Sequence, residues 1–160
     1  NMGVSFLAQN AGKKSITLHL KTERGNALFT KLVARTDALV ENFRPGVMER
    51  LSLGYDQLKI INPSLVYCAI SGFGQTGPLA SQPAYDQIIQ GYSGLMSITG
   101  DPDTAPYRVG FPIADTVGGL TAAMPSPLHS PPLRTSAEPL STSRCSAQFL
   151  PRWGGLSPTI

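Results

Sequence analysis

Charge, histidine and cysteine are scarce in this 160-residue chain, and each shortage excludes a class of protein. Only 14% of the residues are charged and the formal net charge is +3, so neither a basic stripe for nucleic acid nor an acidic tail is present. Two histidines (His19, His129) and two cysteines (Cys68, Cys145) give neither a disulfide framework nor zinc-ligand spacing, so we expect no metal. No apolar run approaches the roughly 20 residues that span a bilayer, so we expect no membrane partner.

Strand-like and helix-like segments alternate from residue 15 to about residue 123. Patterns typical of strands occupy residues 15–20, 37–40 and 65–71. Helical patterns begin near Thr22, Val47, Tyr55, Tyr85 and Asp115. Strands separated by helices of this length predict an α/β fold with right-handed crossovers and a parallel sheet.

The composition changes near residue 124. Residues 124–160 contain seven of the fourteen prolines and seven serines, without helical or strand periodicity. Such a segment buries too little apolar surface to offset its chain entropy, so we expect a disordered tail. Because Pro125 interrupts a helical pattern, we expect a frameshifted or mis-spliced end, with a flexible functional tail as the alternative.

A glycine motif, Gly72-Phe-Gly74-Gln-Thr-Gly77, follows the strand pattern of residues 65–71. A dinucleotide site would need a helix to begin directly after it, but Pro78 and Pro83 favour a loop there. We therefore interpret these glycines as a tight turn at the carboxyl end of the strand, where open α/β sheets bind ligands. A nicotinamide or flavin site is the alternative.

Asp115 is the most informative single residue. It follows an apolar run and precedes Gly118 and Gly119 in what is predicted to be a helix. Backbone N–H groups and the helix dipole would hold such an aspartate ionised, which suits a carboxylate nucleophile. An ordinary helix N-cap is the alternative.

A second group of candidates lies just beyond the strand pattern of residues 37–40. Asn42 and Phe43 could hold an adenine by hydrogen bonding and stacking, and Arg44 and Arg50 could bind phosphates. A turn with a buried Phe and solvated arginines explains the same residues. Lysines 13, 14 and 21 could likewise line a phosphate groove or coat a surface.

Taken together, the ordered segments resemble the family III CoA-transferases. The likeness covers roughly residues 10–123, and the order and spacing of its segments are far more specific than any one of them. The segments are Asn10-x-x-Lys13-x-Ser15-Ile-x-Leu, Val40-Glu-Asn42-Phe43-Arg-Pro-Gly46, Gly54-Tyr55, Ile61-Asn-Pro63-x-Leu-Val-Tyr, Ser71-Gly-Phe-Gly-Gln-Thr-Gly-Pro78, Tyr85-Asp86, Ser93-Gly-Leu-Met96 and Arg108 to Leu120. The resemblance implies a partial Rossmann-like parallel sheet in residues 1–123.

The resemblance also implies roles for individual residues. Asp115 matches the nucleophilic aspartate, which carries an acyl anhydride and then a CoA thioester. Asn42 and Phe43 match a pair that contacts CoA, and Arg50 matches a basic residue near its phosphates. Lys21 falls on the adenine side, and Tyr85 falls near the acyl group.

The implied substrates are CoA, an acyl-CoA and a small carboxylic acid, with no tightly bound cofactor. An interlocked homodimer and a cytoplasmic location, or a mitochondrial one in a eukaryote, are also expected. The chain departs from the family by lacking its first βαβ portion and its long second half, so we expect an internal fragment that is inactive alone.

Two alternatives remain open. An α-methylacyl-CoA racemase shares the fold, but that branch has a histidine where this chain has Tyr85. A non-catalytic CoA-binding fragment, or a truncated product without a function, is the other alternative.

Overall fold

The computed structural model of the chain describes residues 3–123, which contain helices and two short strands. The strands are β1 (Ala38–Glu41) and β2 (Val66–Ala69). The α-helices are α1 (Val4–Gln9), α2 (Glu23–Val33), α3 (Val47–Arg50), α4 (Tyr55–Ile61), α5 (Asp86–Tyr92) and α6 (Ile113–Ala123), with a 3-10 helix at Leu95–Ile98.

The two strands pair in parallel, with Ala38 opposite Val66 and Glu41 opposite Ala69. Helices α3 and α4 lie between them in the chain, so the α/β class with a parallel sheet is confirmed. The prediction of a strand at residues 15–20 is wrong. That segment pairs with no strand of the described chain. Ile16 is 66% exposed, so this apolar residue of the alternating pattern does not pack on a core.

The core lies between α2, α3, α4 and the sheet. Leu53 and Leu58 are fully buried, and Met48 and Val33 are nearly so. Tyr67 on β2 packs its ring edge-on against Tyr55, with the ring centroids 5.8 Å apart. This core holds the strands in place and leaves their carboxyl ends open.

Helix boundaries follow local sequence rules. The Thr22 side chain accepts a hydrogen bond from the Gly25 N–H at 3.1 Å, which confirms the predicted start of α2. The helix predicted to begin near Tyr85 is short: α5 ends at Tyr92, and a separate 3-10 helix follows Gly94, which adopts a left-handed conformation with φ of 78°.

Asn62 joins the ends of two core helices. Its Nδ2 donates to the carbonyl oxygens of Val33 (3.0 Å) and Thr36 (2.8 Å), and its Oδ1 accepts from the Ser64 N–H at 3.1 Å. The side chain is only 9% exposed, so water cannot replace these bonds at low cost.

We expect Asn62→Ala to lower the free energy of unfolding by about 2–4 kcal/mol, because it leaves several buried backbone groups without partners. Urea unfolding measures the change. Asn10→Ala is the matched control, since the Asn10 amide donates to the Phe6 carbonyl in an exposed position; a loss of about 0.5 kcal/mol or less is expected there. Equal losses of unfolding free energy in the two variants would contradict the conclusion that Asn62 satisfies buried backbone groups.

The longest helices, α2 and α6, have eleven residues each, and none in residues 3–123 has the length and apolar character of a membrane span. The predicted tail at residues 124–160 lies outside the described residues. Its disorder and its origin therefore stay predictions.

Candidate active site

A cavity of about 520 Å³ lies beyond the carboxyl ends of both strands. Asn42 and Phe43, which follow β1, form one wall, and the residues that follow β2 form another. Helices α5 and α6 close the remaining sides with Asp86 and Asp115. Ligands of open parallel sheets bind at this edge, so the fold itself marks the cavity as a candidate site.

Asp115 lies in the first turn of α6, which begins two residues earlier, at Ile113. The side chain is exposed on the cavity wall, and Gly118 and Gly119 lie beside it on the same helix face. The expectation that backbone N–H groups hold this carboxylate is wrong. Within residues 3–123, no hydrogen-bond donor reaches it.

Asp86 occupies the N–H groups that Asp115 was expected to use. Its Oδ1 accepts from the Ala114 N–H at 2.8 Å and from the Asp115 N–H at 3.4 Å. Asp86 is the first residue of α5 and is 6% exposed, so a buried carboxylate from one helix caps the start of the next.

Gln90 completes this network from the next turn of α5. Its Nε2 donates to Asp86 Oδ2, and its Oε1 accepts from the Val109 N–H at 2.8 Å. Gln90 is completely buried. One amide therefore connects the capping carboxylate to the segment that leads into α6.

The pKa of the Asp115 carboxyl is raised above its usual value. Loss of water around the carboxyl is the larger cause, and the negative charge of Asp86 adds to it. A carboxylate with a raised pKa is more basic than an ordinary one, which suits a nucleophile.

Hydrogen bonds hold Asn42 and Phe43 at the carboxyl end of β1. The Asn42 Nδ2 donates to the Ile70 carbonyl at 2.8 Å, which ties the ends of the two strands together. The Phe43 N–H donates to the Glu41 Oε2 at 2.7 Å, and the Phe43 side chain is 46% exposed. The alternative of a buried Phe is therefore wrong, and the ring is available to a ligand.

The structure does not place all the predicted CoA residues in one cavity. Tyr85 joins Asn42, Phe43 and Asp115 around the first cavity and is 73% exposed. Lys21 and Arg50 line a second, open cavity of about 870 Å³ between the start of α2 and the end of α3. Phe43, Arg44 and Pro45 line the first cavity, and Val47, the first residue of α3, lines the second.

The glycine motif forms a loop, as the sequence predicts. Gly74 and Gly77 have φ of 79° and 100°, and the next helix, α5, begins only at Asp86. A β-carbon on Gly72 would lie 2.4 Å from the Ala84 β-carbon, so the strand end packs directly against the approach to α5. The helix that a dinucleotide site requires is absent from this part of the described chain.

Sequence reasoning missed the role of Gln90 and the capping of α6 by Asp86. The four-residue spacing of the two side chains was the available signal, because such pairs meet on one face of a helix.

Among residues 3–123, no group of three His, Cys, Asp or Glu side chains could hold a metal ion.

The chain matches a known family in sequence and in structure. Residues 1–125 match the sequence model of CoA-transferase family III, so the chain belongs to this family. It is 54% identical over 116 residues to the acetyl-CoA:oxalate CoA-transferase of Acetobacter aceti, covering 72% of this chain and 30% of that protein. It is 48% identical over 115 residues to the succinate–glutarate CoA-transferase of Agrobacterium fabrum, covering 72% and 29%.

Solved structures agree with the sequence comparison. The chain is similar to a CAIB/BAIF family protein from Brucella suis, with a TM-score of 0.71 and 44% identity, covering 74% of this chain and 31% of that one. The chain thus spans about 30% of the length of the curated relatives and solved structures it matches.

Proposed function

We propose that this chain forms part of an enzyme that transfers CoA from an acyl-CoA to a small carboxylic acid, with Asp115 as the covalent nucleophile. The observation that carries the proposal is the Asp115 carboxylate, open to the strand-end cavity and without a hydrogen-bond donor among the described residues. The names of these two relatives pair CoA with oxalate, succinate and glutarate, which makes a short carboxylate the acceptor class.

In the proposed reaction, Asp115 carries first the donor acyl group, then CoA and finally the acceptor acyl group. A carboxylate oxygen of Asp115 attacks the thioester carbon, the C–S bond breaks, and an acyl-aspartyl anhydride and CoA thiolate form. The thiolate attacks the aspartyl carbonyl carbon, which releases the donor acid and leaves an aspartyl-CoA thioester. The acceptor carboxylate then displaces the thiolate to give a second anhydride, and the thiolate attacks the acceptor acyl carbon, which restores Asp115.

The two cavities would hold different parts of CoA. Lys21 and Arg50 supply positive charge for phosphates in the larger cavity. Phe43 and Asp115 line the smaller cavity, which would take the thioester. Tyr85, also on the wall of the smaller cavity, would lie near the acyl group.

Trapping the covalent intermediate tests the proposal. The purified chain is incubated with succinyl-CoA and then with hydroxylamine, which converts an aspartyl thioester or anhydride to a hydroxamate. Mass spectrometry of peptides should locate the hydroxamate at Asp115. A chain that binds CoA but never forms this adduct is a non-catalytic CoA-binding fragment, and exchange of the α-proton in deuterated water without an adduct supports the racemase alternative.

We expect Arg50→Gln to weaken CoA binding about 10-fold or more, because one charge-assisted hydrogen bond to a phosphate contributes about 1.5–3 kcal/mol. Titration calorimetry with CoA measures the change, which should shrink as salt screens the charge. Arg24→Gln is the matched control: this arginine lies on α2 outside the cavity lining, so CoA affinity should be unchanged. Equal affinity in the Arg50 variant and the parent would contradict the phosphate role.

A further inference from the structure

We propose that Gln90 is a positioning residue for the Asp115 nucleophile, because its buried amide holds Asp86 against the start of α6. The inference rests on the proposed function for its catalytic meaning. Its structural basis is independent of that function, since every contact lies within the described chain.

The direction of each hydrogen bond fixes the orientation of the Gln90 amide. The Val109 N–H can only donate, so the atom facing it at 2.8 Å must be the Oε1 acceptor. The Nε2 group then faces Asp86 and donates to Oδ2. Asp86 is left with Oδ1 for the Ala114 N–H, so both carboxylate oxygens act as acceptors.

The bridge couples two parts of the chain that together place Asp115. Asp86 holds the first N–H groups of α6, and Val109 lies on the segment that leads into that helix. With Asp86 held in place, the same N–H groups cannot turn to the Asp115 carboxylate. The Asp115 carboxylate therefore stays uncapped on the cavity wall, which a self-capped aspartate would not.

Burial makes this arrangement depend on Gln90 itself. Gln90 is fully buried and Asp86 is 6% exposed, so water has little access to replace a lost amide. A residue of the same size without polar atoms would leave the Val109 N–H without its acceptor and Asp86 Oδ2 without its donor.

The first test is Gln90→Met in the full chain, with Gln87→Met as the matched control on the exposed face of the same helix. We expect the Gln90 variant to form the Asp115 hydroxamate at least 10-fold more slowly at saturating succinyl-CoA, with little change in the half-saturating concentration. Amide hydrogen exchange at Val109 and Ala114 should become at least 10-fold faster. The control should match the parent in all three measurements.

A second variant covers the case in which Gln90→Met does not fold. Gln90→Glu keeps the shape, but a carboxyl group at this position can bridge to Asp86 only when one of the two carboxyl groups carries a proton. Asp86 on α5 is the ionisable group bonded to Gln90, Asp115 on α6 interacts with the charge of Asp86, and Arg108 precedes Val109 in the chain. Relative to the parent at the same pH, this variant should form adduct nearly normally at pH 5 and at least 10-fold more slowly at pH 8.

The outcomes separate this inference from the proposed function. If the parent forms no adduct but Gln90→Met still exposes Val109 and Ala114 to exchange, the proposed function fails and the network stands. If the parent forms adduct and Gln90→Met changes neither the rate of adduct formation nor the exchange at those amides, the inference is overturned. A rise in the half-saturating concentration alone would also overturn it, because it would assign Gln90 to substrate binding.

Discussion

Asp115→Asn should abolish hydroxamate formation with succinyl-CoA, a loss of at least about 1,000-fold. An amide at this position cannot attack the thioester, and the other carboxylate of the cavity, Asp86, is buried with both oxygens accepting hydrogen bonds. Mass spectrometry after hydroxylamine treatment measures the loss. In the parent chain, adduct formation should fall as the pH drops through the raised pKa of Asp115, because only the ionised carboxylate attacks.

Stability provides the control for this variant. A pKa raised in the folded state means that folding disfavours the ionised carboxyl, so the stability contributed by Asp115 falls as the pH rises through its pKa. The uncharged amide of the Asp115→Asn variant should therefore leave the free energy of unfolding unchanged or raise it, by no more than about 1 kcal/mol at this exposed site. A variant that retains the adduct would show that another residue is the nucleophile.

Asp86→Ala should lower the free energy of unfolding by about 3 kcal/mol or more. The substitution leaves the Ala114 N–H and the Gln90 amide buried without their partner, and the lost partner is a carboxylate. Urea unfolding of the full chain measures the change. The variant also removes the negative charge that raises the pKa of Asp115, so the pH midpoint of any remaining adduct formation should move down.

Asp56→Ala is the matched control for Asp86. Asp56 also lies in the first turn of a helix, α4, but it is exposed, so only its interaction with the helix dipole is lost. We expect a loss of about 0.3–1 kcal/mol for this control. Similar losses for the two aspartates would show that Asp86 acts only on the dipole of its own helix.

Local patterns predicted most of the fold. The capping role of Thr22, the two strands and the loop at Gly72 to Gly77 follow from short-range rules about caps, apolar runs and glycine. The strand at residues 15–20 failed because alternation alone does not supply a pairing partner. A strand needs a neighbour, which no local pattern reveals.

The site was predicted less completely than the fold. The sequence places Asn42 and Asp115 at a strand end and a helix start, and topology brings such positions to one edge. It does not show that Asp86 reaches across 28 residues to cap α6, or that Arg50 faces another cavity. Both depend on how helices pack, which is decided by long-range contacts.

Gly118 and Gly119 line the cavity without side chains, which leaves more space beside Asp115 but lowers the stability of α6. A β-carbon at either position would meet no atom within 4 Å outside the helix, so alanine would fit sterically. Each glycine weakens a helix interior by about 0.8–1 kcal/mol relative to alanine. The eleven-residue α6 thus gives up conformational rigidity at the two positions where added methyl groups would take space from whatever reacts at Asp115.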